Sequence, residues 1–194
     1  MRLVLSIISF FIVNCVFSQE TILALGNKYL NSGDLDSAEI VFRRGITSEP
    51  KNQIYQCQLG LVLINKGEYS PAENIFQTVL EIDSLNTGAL WYSGIGSFKS
   101  GNDSLSIIRF EKVLTLLDET SNQYSSALWF IGKSYSKQLR TKGLSYQELN
   151  RMIACFDKYL FHENQAEDYE EIDGYLKEIK EKRPSENVKR WVHR

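Results

Sequence analysis

Apolar residues recur at helical spacing along most of the chain, in runs broken by short polar turns that contain Gly. Ile22, Leu25, Gly26 and Tyr29 stand in one such run, and Gln56, Leu59, Gly60 and Leu63 occupy the same register in the next. Each predicts a helix with one inward stripe and a small Gly on it that admits a close neighbour. A Gly inside a helix costs about 1 kcal/mol against Ala, so its return on a fixed beat points to packing. The breaks that follow read NSGD, NKGE and KSGN, the composition of a helix end capped by a left-handed Gly. A second amphipathic run follows each break, carrying a small residue and then a Phe: Ala38 and Phe42, Ala72 and Phe76, Ser106 and Phe110. The pattern predicts a series of helix–turn–helix units, with Pro50 stopping the second helix of the first unit.

The units share a period. Gly26, Gly60 and Gly94 are spaced by 34 residues, as are Gly33, Gly67 and Gly101, and Phe42, Phe76 and Phe110. Columns in register at such a period mark a stacked repeat architecture. A fourth unit is stretched. Ile131, Gly132 and Tyr135 restate the opening and Met152, Phe156 and Tyr159 the second helix, but Gly132 to Phe156 spans 24 residues against 16 earlier. The eight extra residues divide evenly about Gly143, about one helical turn on each side. The expectation is a hairpin that projects beyond its neighbours at the turn end. In residues 165–182, Tyr169, Ile172, Tyr175, Leu176 and Ile179 form one apolar stripe, which reads as a closing helix. Residues 183–194 are basic and read as a frayed tail, unless Trp191 docks on the last hairpin.

These columns resemble the tetratricopeptide repeat. The match runs Leu25-Gly26, Tyr29, Ala38, Phe42, Gly45, Pro50 in the first unit and Leu59-Gly60, Leu63, Ala72, Phe76, Val79 in the second. The third keeps Gly94, Phe110 and Val113 but has Asp118 where Pro is usual. The resemblance implies an all-α, right-handed solenoid of about four helix hairpins (residues 19–52, 53–86, 87–120 and 121–164) with a capping helix at 165–182. It also implies that the first helices line a concave groove. By column, that groove would present Leu23, Cys57, Trp91 and Trp129; Asn27, Leu61, Ile95 and Lys133; Leu30, Ile64, Phe98 and Ser136; and Asn31, Asn65, Lys99 and Lys137. The expected binding surface is Asn27, Leu61, Ile64, Asn65, Trp91, Ile95, Phe98, Lys99, Trp129, Lys133 and Lys137. Aromatic anchors would sit in its middle and Lys residues would hold an acidic group of a partner protein or peptide. The competing reading has these aromatics packed on one another or under the chain's own end, with Asn31 and Asn65 only capping helices. A variant of the family clamps a C-terminal carboxylate through Lys and Asn on the first repeat and basic residues on the third. Asn27 matches it, but Leu23, Gly88 and Tyr92 do not, so that recognition is not expected.

Composition narrows function further. With 22 basic and 24 acidic residues among 194, and a net charge of −2, there is no basic excess for a nucleic-acid partner. His162 and His193 lack metal-ligand spacing, and no nucleophile–base motif or phosphate loop is present. The expectation is a non-enzymatic protein with no cofactor. The rival is a cryptic catalytic site at the stretched hairpin, near His162.

Residues 1–18 have the layout of an export signal, with Arg2, an apolar run from Leu3 to Phe17, and Val16-Phe-Ser18 before a cleavage point at Gln19. The apolar stretch makes a helix of about 22 Å, short of the roughly 30 Å hydrocarbon core. Retention as a membrane anchor, or lipidation at Cys15, are the alternatives. The expected address is the periplasm or outer membrane of a bacterium, or secretion. Membrane contact is expected only through an uncleaved or lipidated N-terminus. Cleavage leaves Cys57 and Cys155, which read as two separate buried thiols rather than a bridge.

Overall fold

The computed structural model describes residues 21–193, so the stretch expected to be an export signal, Cys15 included, lies outside the described residues. Nine helices run in chain order among them: α1 (Ile22–Ser32), α2 (Leu35–Ser48), α3 (Gln53–Asn65), α4 (Tyr69–Ile82), α5 (Thr87–Ser100), α6 (Asp103–Leu114), α7 (Asn122–Thr141), α8 (Tyr146–His162) and α9 (Tyr169–Glu181). They form four consecutive hairpins and a closing helix, a solenoid of tetratricopeptide type.

The starts and stops are local chemistry. Thr21, Asp34, Asn86, Asn102, Ser121 and Ser145 each accept a hydrogen bond from the N–H three residues on, satisfying a donor that the first helical turn leaves open. Ser145 and Glu148 complete a reciprocal capping box. The first three hairpins turn at Gly33, Gly67 and Gly101 with φ of 79–81°, the left-handed conformation the polar breaks predict.

Each hairpin is closed by a Gly facing a Phe. A Cβ at Gly26, Gly60, Gly94 or Gly132 would lie 2.4–2.8 Å from the ring of Phe42, Phe76, Phe110 or Phe156 respectively. All four rings are essentially sealed from solvent. The Gly column therefore admits the Phe of its own hairpin, while Ala38, Ala72 and Ser106 keep the second helices close. The core falls into two clusters. One is built from the first two hairpins and the start of the third, the other from the fourth hairpin, α9 and Phe110. Trp91, Ile95 and Leu117 pack against both.

The fourth hairpin is longer, as its spacing predicts. α7 has 20 residues and α8 has 17, against 11–14 in the earlier helices. Part of the gain extends α7 at its start as well as at the turn. The turn at Gly143 does not stand clear, because the C-terminal segment lies across it. Leu144 and Trp191 exchange backbone hydrogen bonds of 2.9 and 2.8 Å in an isolated antiparallel bridge. Arg190 donates to the carbonyls of Lys142 and Gly143, and the His193 N–H donates to that of Leu139. The expectation of a frayed tail is therefore corrected. The end of α7 has carbonyls without helical partners, and the tail supplies donors to them.

Candidate functional site

α3, α5 and α7 stand side by side along one face of the solenoid, and most of the sequence-predicted groove residues lie on them. Asn27, Leu61, Trp91, Ile95, Phe98, Trp129 and Lys133 are half-buried, while Asn65, Lys99 and Lys137 are exposed. Ile64 is the exception. It is 2% exposed, and the missing side chain of Gly96 leaves room for its tip to pack against α5. It belongs to the core rather than to an accessible groove.

The aromatics are joined. Trp91 meets Phe110 edge-on at 5.3 Å, Phe110 stacks on Phe130 at 4.6 Å, and Phe130 contacts both Phe98 and Trp129. Phe98 and Trp129 also face each other at 5.8 Å. Part of the expected anchor set is thus packed within the protein. Phe130, which completes this chain of rings, falls in a column the sequence reading did not assign to the groove. Trp129 is held further. Its indole N–H donates to Asp168 at 2.6 Å, and the Tyr159 hydroxyl donates to the other oxygen of the same carboxylate at 2.8 Å. Burial and the Asp168 charge both push the Tyr159 phenol above its ordinary range.

The segment carrying Asp168 continues into α9, which covers the last stretch of the face. Lys133 pairs with Glu171 at 3.1 Å, and the Ser136 hydroxyl donates to the Tyr175 oxygen at 3.0 Å. Beside these contacts a pocket of about 290 Å³ remains open between α5, α7 and α9. Phe98, Tyr175, Ile172 and Phe156 supply its apolar surface, and Lys133, Lys137, Arg140 and Glu171 its charges. Lys137 rests over the Phe98 ring at 3.5 Å and Arg140 over the Tyr175 ring at 5.8 Å. Lys137 is also 3.8 Å from Asp103, whose carboxyl is pushed up by burial against the opposing pull of Lys137 and Lys142. Sequence reading found Lys133, Lys137 and Phe98 but not Arg140, which lies on the turn added to α7 and has no counterpart in the shorter repeats. The signal that points to it is the helical spacing 133, 137, 140 on one face.

A second opening, of about 250 Å³, lies at the start of α5, where Trp91 and Tyr92 meet Leu117 and Gln123. Ile95 lies along α5 between the residues that line the two openings, and Leu61 is half-buried on the adjacent α3. Lys99 and Asn65 are exposed at the turn ends of α5 and α3.

His162 packs against the rings of Tyr124 and Phe161, and its Nε2 is buried without a hydrogen-bond partner. Among the described residues no group of three His, Cys, Asp or Glu is placed to hold a metal ion. Cys57 and Cys155 are free and buried in different hairpins.

The profile of the family described as Tetratricopeptide repeat matches residues 20–52 and 55–84, the first two hairpins. No curated protein matches the chain. Solved structures share the architecture across most of its length. A double mutant of MamA RS-1 superposes with a TM-score of 0.69 at 18% identity, covering 83% of this chain and 84% of that one. PilF of Pseudomonas aeruginosa gives 0.67 at 16% identity, covering 82% and 68%. YrrB, described as a tetratricopeptide repeat protein with an unusual peptide-binding site, gives 0.60 at 17% identity, covering 81% and 73%. Identities this low speak for the fold alone.

Proposed function

We propose that this solenoid is an exported, non-enzymatic scaffold that holds a peptide or helix of a partner protein against the face formed by α3, α5 and α7. Tetratricopeptide repeat proteins generally mediate protein–protein interaction, and YrrB among the structural neighbours is described with a peptide-binding site. The observation that carries the reading is a set of half-buried apolar side chains on adjacent helices, Leu61 on α3 with Trp91 and Ile95 on α5, where α5 also lines two open pockets. Apolar side chains left half-covered on adjacent rigid helices gain from excluding water under a partner, with little ordering cost on the scaffold's side.

A second reading makes the protein a membrane-tethered or lipid-anchored structural component whose groove is filled from within. It is favoured by one specific contact set: the ring chain ending at Trp129, locked by Asp168 beneath the start of α9. No helix among the described residues is long and apolar enough to cross a membrane, so tethering would rest on residues 1–18.

One experiment separates the two. The full chain, tagged and expressed in its native host, is crosslinked in intact cells beside a Leu61→Asp, Ile95→Asp variant of equal helicity. A partner captured by the native protein and lost with the variant supports the scaffold reading, and equal capture by both overturns the groove. Mass of the recovered N-terminus tests the address. A start at Gln19 supports export with cleavage, whereas an intact Arg2 or a lipid on Cys15 supports tethering.

A further inference from the structure

We propose that the pocket between α5, α7 and α9 is a carboxylate site, which takes an Asp or Glu side chain lying next to an apolar residue in the bound peptide. This rests on the groove reading above and names the chemistry of its partner: an acidic, amphipathic segment whose carboxylate lies at the fourth-hairpin end.

Three cations converge there from a single helix face. Lys133, Lys137 and Arg140 are at i, i+4 and i+7 of α7, the spacing that puts successive side chains on one stripe. Their own carboxylates do not consume them. Glu171 engages only Lys133, and its side chain is 74% exposed, so it can swing away. Asp103 stands 3.8 Å from Lys137, a loose ion pair outside hydrogen-bond range. Among the described residues no ion pair engages Arg140. Of the carboxylates, only Glu171 lines the pocket beside the three cations; Asp103 stands off at 3.8 Å, and Glu178, whose charge also reaches Tyr175, is paired with Lys182 and His193.

The rings hold these cations at the pocket wall. Lys137 over Phe98 and Arg140 over Tyr175 are cation–π contacts, which fix the charges without neutralising them. A positive site held in advance binds an anion with less ordering cost than free lysines on a surface. The floor is apolar, made by Phe156 and Ile172, and it suits the methylenes of a Glu or a neighbouring aliphatic side chain. A volume of about 290 Å³ is at the lower edge of the roughly 300–1,000 Å³ that small-molecule sites occupy, enough for one or two side chains of a bound peptide.

The test uses randomised peptides displayed by their C-termini on phage, so that every carboxylate presented is a side chain. Peptides selected on the full chain are then synthesised N-acetylated and C-amidated, and their affinities are measured by fluorescence anisotropy. The expected selection is enriched in Asp or Glu beside aliphatic or aromatic residues. Lys137→Glu with Arg140→Glu should weaken binding by roughly tenfold or more, and Glu171→Gln, which removes the competing carboxylate, should tighten it a few-fold. A merely structural role for Glu171 gives no tightening, and that result counts against the site. If the peptides show no acidic preference and are lost with Ile95→Asp but not with Lys137→Glu, the carboxylate site is overturned while the groove stands. If no peptide is enriched, both readings fall.

Discussion

A single methyl group is enough to probe the contact on which every hairpin depends. At Gly60 a Cβ would lie 2.4 Å from two atoms of the Phe76 ring, whereas at Gly174, on the outer side of α9, it would meet nothing within 4 Å. Gly60→Ala should therefore destabilise the protein by about 1–3 kcal/mol despite the better helix propensity of Ala, and Gly174→Ala should stabilise it by up to ~1 kcal/mol. Denaturant midpoints of the two variants check both signs. Burial acts as plainly on the thiols. It pushes Cys57 up to about 11 and Cys155 up to about 12, from an ordinary value of 9.0. A folded pKa above the unfolded one means that the fold favours the protonated thiol. The stabilisation is complete below pH 9 and erodes as pH rises from there through 11 to 12. Iodoacetamide at pH 8 should label neither thiol in the native protein and both in denaturant, read by mass spectrometry. Replacing both Cys by Ala should flatten part of the alkaline loss of stability.

At the scale of elements, the extra turns of α7 and α8 were legible because the interval from Gly132 to Phe156 counts them. The docking of the tail was not. Residues 183–193 have no periodicity; part of what holds them runs to backbone carbonyls, which leave no mark on side-chain pattern, and the Arg190–Glu148 and His193–Glu178 pairs beside them fall on no repeat column. Gly143 joins the two. Its φ is 74°, and an added Cβ would lie 2.7 Å from the Trp191 carbonyl oxygen, so Gly143→Ala strains the turn and displaces the tail together. Hydrogen exchange at the Leu144 and Trp191 amides should accelerate sharply in Gly143→Ala and in Trp191→Ala, with the first two hairpins unchanged. Acceleration throughout the chain would mean that the tail supports the whole solenoid instead.

At the scale of the whole molecule, two core clusters are bridged by half-buried side chains such as Trp91 and Ile95, and each hairpin touches chiefly its neighbours. Stability in such a stack is the sum of local units and their interfaces. Phe76→Ala should lose about 3–5 kcal/mol and open the first two hairpins, while amides of α8 and α9 keep most of their protection. Native-state hydrogen exchange reads this directly, and equal loss everywhere would show one cooperative unit. The sequence by itself determined the hairpins, their number and their turns, because these follow from short-range spacing: Gly against Phe within one unit, a polar cap and a left-handed Gly at each turn. It also placed Trp91, Ile95, Phe98 and the α7 lysines on one face. Only the tertiary structure decided what that face offers. Ile64 is buried because Gly96 on another helix leaves it room, Trp129 is tied down by Asp168 from a distant segment, and Arg140 joins the lysines at a pocket that exists only where α9 crosses. Access, pairing and charge balance depend on which distant side chain arrives first, and no local periodicity encodes that.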